Sequence, residues 1–228
     1  MALILNIDTA LETGSVTLAL DGEVLERLVN NDQKDHAAWL HLAIRDLIKG
    51  TRYKLSDLNA VAVTSGPGSY TGIRVGMASA KGLSYALGIP LITINTLLAM
   101  AWSQRAIQPL HNSQPEAGYC PMIDARRDEV FSAVYDSSMN VLLPPTALTV
   151  TKSSYEQLLA HTPIVFFGNG SDKWKALSTH PNALFQKWDY AYFNLAYLSE
   201  NSYLNNAFAD LAYVQPDYLK EVYTYKKN

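Results

Sequence analysis

The chain of 228 residues has a single cysteine, Cys120. One thiol closes no intrachain disulfide, so stability must come from a packed core, and the usage fits a reducing compartment. A surplus of positive charge is also missing: 18 Lys and Arg against 21 Asp and Glu leave a net charge of −3. That balance excludes a long basic stripe able to grip a nucleic acid alone. If RNA is a target, another subunit supplies most of the phosphate contacts. No apolar run approaches the roughly 20 residues of a membrane helix. The opening stretch MALILNIDTA carries no basic region and reaches Asp8 too early for a secretory signal. A cytoplasmic protein without a membrane partner is expected.

Catalytic and metal-binding patterns are equally scarce. His36 and His41 are five apart, which turns them more than a right angle from each other on a helix, whereas paired ligands want three or four. His111, His161 and His180 are scattered in loop-like sequence. Cys120 has no recognisable partner, and no carboxylate pair has a spacing that demands acid–base chemistry. Neither a catalytic residue nor a metal site is expected. Around Gly66, the Walker pattern fails because no lysine follows, and GxGxxG fails because Thr71 holds the sixth place. The Gly-x-Ser-x-Gly elbow of hydrolases is absent around Ser69.

What is present reads as alternating structure. LILNID (3–8), SVTLAL (15–20) and EVLERLV (23–29) predict three antiparallel strands, with Asp21-Gly22 as a hairpin turn. Asp35 is a candidate N-cap for a helix ending at Gly50, on which Ala37, Leu40, Ile44, Leu47 and Ile48 recur at helical spacing. A buried strand over 58–65, a helix from about Gly72 to Leu87, a strand over 90–94 and a third helix after Asn95 or Thr96 complete a β-β-β-α-β-α-β-α order. The polar, proline-bearing stretch 107–118 predicts a boundary between a first lobe, 1–106, and a second, 107–228, whose tail could pack back on the first. The second half again opens with strands, at YCPMID, EVFSAVYD and TALTV. A helix near 154–160 and a strand over 163–168 follow, and helices are predicted from Ser171 on.

Three features could carry function. Asp8 ends the first strand, where actin-like phosphotransferases keep an aspartate for Mg²⁺ and phosphate, although turns also often start with Asp. The turn Gly66–Ser69 precedes a helix, so its N–H groups could receive an anion, or the glycines could serve the turn alone. Asp8, Gly66, Gly68 and Ser69 are therefore the candidate phosphate contacts. Third, Gly72, Gly76, Ser79, Gly82 and Ala86 make a stripe of small side chains along one helix. Interior glycines cost about 1 kcal/mol each relative to alanine, which suggests that another backbone comes close. That backbone could belong to this chain or to a partner. Arg74 sits against the positive end of the same helix, which predicts a compensating carboxylate. The cluster Asp124–Glu129 reads as a solvated hairpin tip.

GPGSYTGIRVGMASAKGL resembles the GPGSFTGLRIG…AKGL signature of the TsaB family, bacterial proteins of tRNA threonylcarbamoyladenosine biosynthesis. ILNIDTALETGSVTLAL, MIDARRDEVFSAVYD, FFGNG and PDYLK resemble further family segments along almost the whole chain. The resemblance implies an α/β fold of two ASKHA (actin-like, ribonuclease-H-like) lobes, the second reduced. It implies a non-catalytic scaffold that dimerises with its larger paralogue TsaD through helices of the first lobe. The ATPase TsaE joins the assembly, a homodimer forms when the chain is alone, and tRNA is met only through the complex. Gly72, Arg74, Gly76, Ser79, Gly82, His36 and Leu40 would then form the partner interface, and a bulky residue at Gly76 would block the partner without unfolding the chain. No cofactor is implied for this chain itself; ATP and Mg²⁺ would belong to the interface of the complex. Peptidase and kinase activity of the isolated chain are not expected. The alternative is a small actin-fold ATPase or phosphotransferase using Asp8 and the Gly66–Gly68 turn. Departures from the family pattern are Tyr70 for Phe, Asp128 for Gly and Lys220 for Arg; lysine cannot form the two-pronged carboxylate contact of arginine.

Overall fold

The computed structural model describes residues 1–107 and 116–220, apart from the side chains of Lys34 and Tyr192. His111, most of the expected boundary stretch and the end of the polar tail lie outside the described residues. The chain divides into two compact units, Met1–Gln108 with Asp189–Pro216, and Pro109–Trp188 with Asp217–Asn228. The sequence predicts a second lobe over 107–228 with a tail that could pack back on the first; the segment Asp189–Pro216 groups with the first unit.

In the first unit β1 (Leu3–Asp8), β2 (Gly14–Leu20) and β3 (Glu23–Asn30) form an antiparallel meander. β4 (Ala60–Gly66) and β5 (Leu91–Asn95) add parallel strands on the other side of β1, giving the order β3-β2-β1-β4-β5. The Asp21-Gly22 turn takes positive φ at both residues, 52° and 81°, as a tight hairpin requires. Because strand side chains alternate, Leu3, Leu5 and Ile7 lie on one face of β1 and Ile4, Asn6 and Asp8 on the other.

The odd-numbered face packs with Val61, Val63, Val16 and Leu18 against α1 (His36–Lys49) and α2 (Tyr70–Leu87), which bury Leu40, Ile44, Leu47, Met77 and Ala80. Asp35, the expected N-cap, makes no side-chain cap bond and ends a short 3-10 turn instead. Ser69 caps α2, accepting from the Gly72 N–H, so this helix starts at Tyr70. α3 (Thr96–Ile107) and the returning α6 (Ala196–Leu204) contact β4 and β5, and β1, β3 and β5, respectively. A single bridge pairs Ala209 with Leu91. The returning segment buries Phe193, Leu195, Ala196 and Leu198, and its Ala209, Leu211 and Val214 pack against the core of the first unit.

The second unit repeats the arrangement with less helix. β6 (Gly118–Asp124), β7 (Glu129–Tyr135) and β8 (Val141–Thr149) are antiparallel; β9 (Ile164–Phe167) and β10 (Ala183–Phe185) run parallel beyond β6, in the order β10-β9-β6-β7-β8. The same topology thus occurs twice. α4 (Glu156–Leu159) and α5 (Ser171–Lys175) span 4 and 5 residues, against 14 and 18 for α1 and α2. The fold is α/β with two such units, the second reduced. β10 corrects the all-helical expectation beyond Ser171: three residues beside β9 gain ladder bonds that their sequence does not advertise. Tyr155, Phe166, Trp174 and Phe185 form the aromatic centre of this unit, with ring centroids 4.5–5.8 Å apart.

Candidate functional site

Asp8 stands at the carboxyl end of β1 and is fully buried. Its Oδ1 accepts from the Ala10 N–H at 3.0 Å and from the Thr64 hydroxyl at 2.7 Å; Thr64 lies near the end of the neighbouring β4. Its Oδ2 accepts from the Tyr190 hydroxyl at 2.5 Å. Tyr190 comes from a 3-10 turn, Tyr190–Tyr192, in the segment that returns to the first unit. The Ser15 hydroxyl lies 3.1 Å from the same phenol. Arg27 of β3 places its guanidinium 5.3 Å from the Tyr190 ring centroid and donates to the carbonyls of Ala191 and Tyr190 at 2.9 and 3.3 Å. Burial raises the Asp8 carboxyl above its ordinary value, while the donors, Tyr190 first, pull it part of the way back. The phenol is held well above its own ordinary value by burial and by the adjacent carboxylate.

The turn of Gly66–Ser69 is also satisfied from within. A Cβ on Gly68 would lie 2.2 Å from the Ala10 carbonyl oxygen, and the Ser69 N–H donates to that carbonyl at 2.7 Å. Glycine is needed here because the β1–β2 turn passes at backbone contact distance. The Ile73 N–H goes to the Ser69 carbonyl. Of the sequence-predicted phosphate residues, Asp8, Gly68 and Ser69 each come against Ala10 of this chain's own backbone.

The stripe of small residues divides in two. A Cβ on Gly72 would lie 2.0 Å from the Thr9 carbonyl oxygen, and one on Gly76 2.4 Å from Thr9 Oγ1. These glycines admit the chain's own turn, so their assignment to a partner surface is corrected; a bulky Gly76 variant would strain the fold itself. His36 and Leu40 are likewise inside, at 2% and 0% exposure. His36 Nε2 lies 3.3 Å from the Leu11 carbonyl, which fixes that nitrogen as the donor and leaves Nδ1 to accept from the Asn30 amide at 3.2 Å. Ser79 is buried, with its hydroxyl 3.3 Å from His41 Nε2. Arg74 is exposed and stacks 3.8 Å from the Tyr70 ring centroid.

Only the far half of the stripe opens outward. A Cβ on Gly82 would meet nothing within 4 Å. Around it α2 exposes Ala78, Tyr85 and Ala86, and α1 exposes Ala37, Ala38, His41 and Leu42. Leu42 is 53% and Tyr85 82% exposed, which makes a shallow apolar face across the two helices.

In the second unit the hairpin Asp124–Glu129 is more tightly held than a solvated tip. Asp124 Oδ1 accepts from the Arg126 N–H and from Lys173 Nζ, both at 2.6 Å, and the Asp124 N–H donates to Asn169 Oδ1. Lys220 pairs with Glu129 through its single ammonium. Tyr190, Arg27 and Thr64 were missed by sequence reading. Nothing local marks Tyr190, which lies 182 positions from its partner.

The family described as TsaD, tRNA N6-adenosine threonylcarbamoyltransferase, matches residues 23–222. The tRNA threonylcarbamoyladenosine biosynthesis protein TsaB of Bacillus subtilis is 28% identical over 177 residues, 76% of this chain and 74% of that protein. Its namesake in Escherichia coli is 34% identical over 137 residues, 60% of this chain and 56% of that protein, so the chain spans little more than half of this relative. A tRNA N6-adenosine threonylcarbamoyltransferase of a Ruegeria species is 38% identical over 101 residues, 42% of this chain and 28% of that protein. Among solved structures, YeaZ from Pseudomonas aeruginosa superposes with a TM-score of 0.77 at 23% identity, over 96% of this chain and 100% of that one. A second structure from that organism, described as similar to peptidase YEAZ, gives 0.79 at 24% with the same coverage. At those identities the structures speak for the fold; the sequence matches carry the family. The chain belongs to the TsaD family, and the relatives it resembles include TsaB proteins.

Proposed function

We propose that the chain is a non-catalytic subunit of tRNA threonylcarbamoyladenosine biosynthesis, pairing with TsaD through the exposed face of α1 and α2. The observation that carries this reading is the contrast between the two candidate surfaces. The strand-end carboxylate that could do chemistry is buried and engaged by Tyr190, while Ala38, Leu42, Ala78, Gly82 and Tyr85 leave an apolar helix face uncovered. A paralogue built on the same lobe would present a helix pair of like geometry, and small side chains at Ala78 and Gly82 permit close axial approach. TsaE and tRNA would engage the assembled complex, consistent with the negative net charge of this chain. The test is a threonylcarbamoylation assay with purified TsaD, TsaE, ATP, tRNA and the activated threonylcarbamoyl donor, with and without this chain. Transfer should depend on the chain; equal transfer in its absence rejects the role.

The second reading, an actin-fold ATPase or phosphotransferase, rests on Asp8 and the Gly66–Gly68 turn. Tight Mg²⁺-dependent ATP binding by the isolated chain, with turnover lost in Asp8→Ala, would favour it.

A further inference from the structure

The end of β1 connects the two faces of the first sheet through adjacent residues. Asp8 points to the face where Tyr190 lies; Thr9 points to the face covered by α2, with its hydroxyl donating to the Gly72 carbonyl at 2.7 Å. The turn that follows is gripped by both helices. The Ser69 N–H holds the Ala10 carbonyl at 2.7 Å, and His36, the first residue of α1, together with Gln33 holds the Leu11 carbonyl at 3.3 and 3.4 Å. Gly68, Gly72 and Gly76 leave no space for this turn to move toward α2. A shift at Asp8 therefore passes to the N-terminal ends of α1 and α2, which have no slack to absorb it.

We propose that Tyr190 is a positioning residue for the helix pair: its bond to Asp8 fixes the 8–14 turn, and that turn sets where α1 and α2 begin and how they lie against each other. Arg27 assists by holding the Tyr190 turn through two carbonyls and the ring face. The returning segment thereby controls the fit of a face that it does not itself form. This rests on the α1–α2 face being the partner surface.

The test compares Tyr190→Phe with Leu58→Ala, a buried change beside Asn59, which bonds Leu3 at the other end of β1 from Asp8, as a control for lost stability alone. Two readouts are taken on the full chain: the dissociation constant with TsaD, and hydrogen exchange over 36–40 and 69–76. Tyr190→Phe should weaken binding by about tenfold or more, in the ordinary range of coupling between sites, and should speed exchange in both segments. Leu58→Ala should do neither selectively. Unchanged exchange at both helix starts in Tyr190→Phe overturns the proposal, as does an equal loss of affinity in both variants. If the wild-type chain fails to bind TsaD, the proposed function falls, and the exchange comparison alone decides whether Tyr190 positions the helices.

Discussion

Tyr190 donates its phenolic hydrogen to Asp8 across 2.5 Å, although 182 positions of chain separate the two residues. The carboxylate that sequence offered as a metal and phosphate ligand is thus engaged by a neutral donor of the same chain. The contact also fastens the return segment to the sheet.

Replacing Asp8 by alanine removes one acceptor from three donors: the Ala10 N–H, Thr64 and Tyr190. Each buried donor left alone costs about 1–3 kcal/mol. Urea denaturation should show Asp8→Ala destabilised by about 3 kcal/mol or more. Asn at this position retains an acceptor and should lose less. Equal stability of Asp8→Ala and wild type would show that the network is not formed in solution.

Alanine at Gly72 and at Gly82 should act in opposite directions. The first places a methyl against the Thr9 carbonyl, where overpacking costs about 1–3 kcal/mol. The second enters open space and gains up to about 1 kcal/mol of helix propensity. Melting temperatures measured side by side should fall for Gly72→Ala and rise for Gly82→Ala. A Gly72→Ala protein as stable as wild type would contradict the close passage of the β1–β2 turn.

Charge placed on the helix face tests association without disturbing the fold. Leu42→Arg and Gly82→Arg change exposed positions, so circular dichroism should stay unchanged while self-association and TsaD binding fall. Sedimentation velocity at several concentrations reads the first and co-elution the second. Undiminished binding by both variants would move the partner surface elsewhere.

The Cys120 thiol is pushed up to about 12 by burial, partly offset by hydrogen bonds from Ser132 and Tyr155. Its folded value exceeds the unfolded one, so its contribution is fully present below pH 9 and is lost as pH rises toward 12. The buried phenols of Tyr155 and Tyr190 act with the same sign at higher pH. Denaturant titrations should show stability declining above pH 9, less steeply in Cys120→Ala. The native thiol should resist an aromatic disulfide reagent that modifies it at once in urea.

Local patterns settled much of this protein. Alternating apolar residues over 3–8 and 15–20, a DG turn and two amphipathic helices are short-range signals, and the elements they predict form within a residue or two. β10 escaped because three residues gain strand structure only beside β9. The function of the glycines in α2 could not be read locally, since a small residue marks close approach without naming the neighbour. Gly72 and Gly76 turned out to face Thr9, and Gly82 faces open space. Composition and periodicity by themselves determined the strands, the helices and the absence of a basic stripe, because each depends on nearby residues and their solvation. Tertiary structure alone decided that Asp8 is closed off by Tyr190 and which side of the helix pair remains uncovered, because those contacts join distant segments whose meeting is fixed only when the whole core packs.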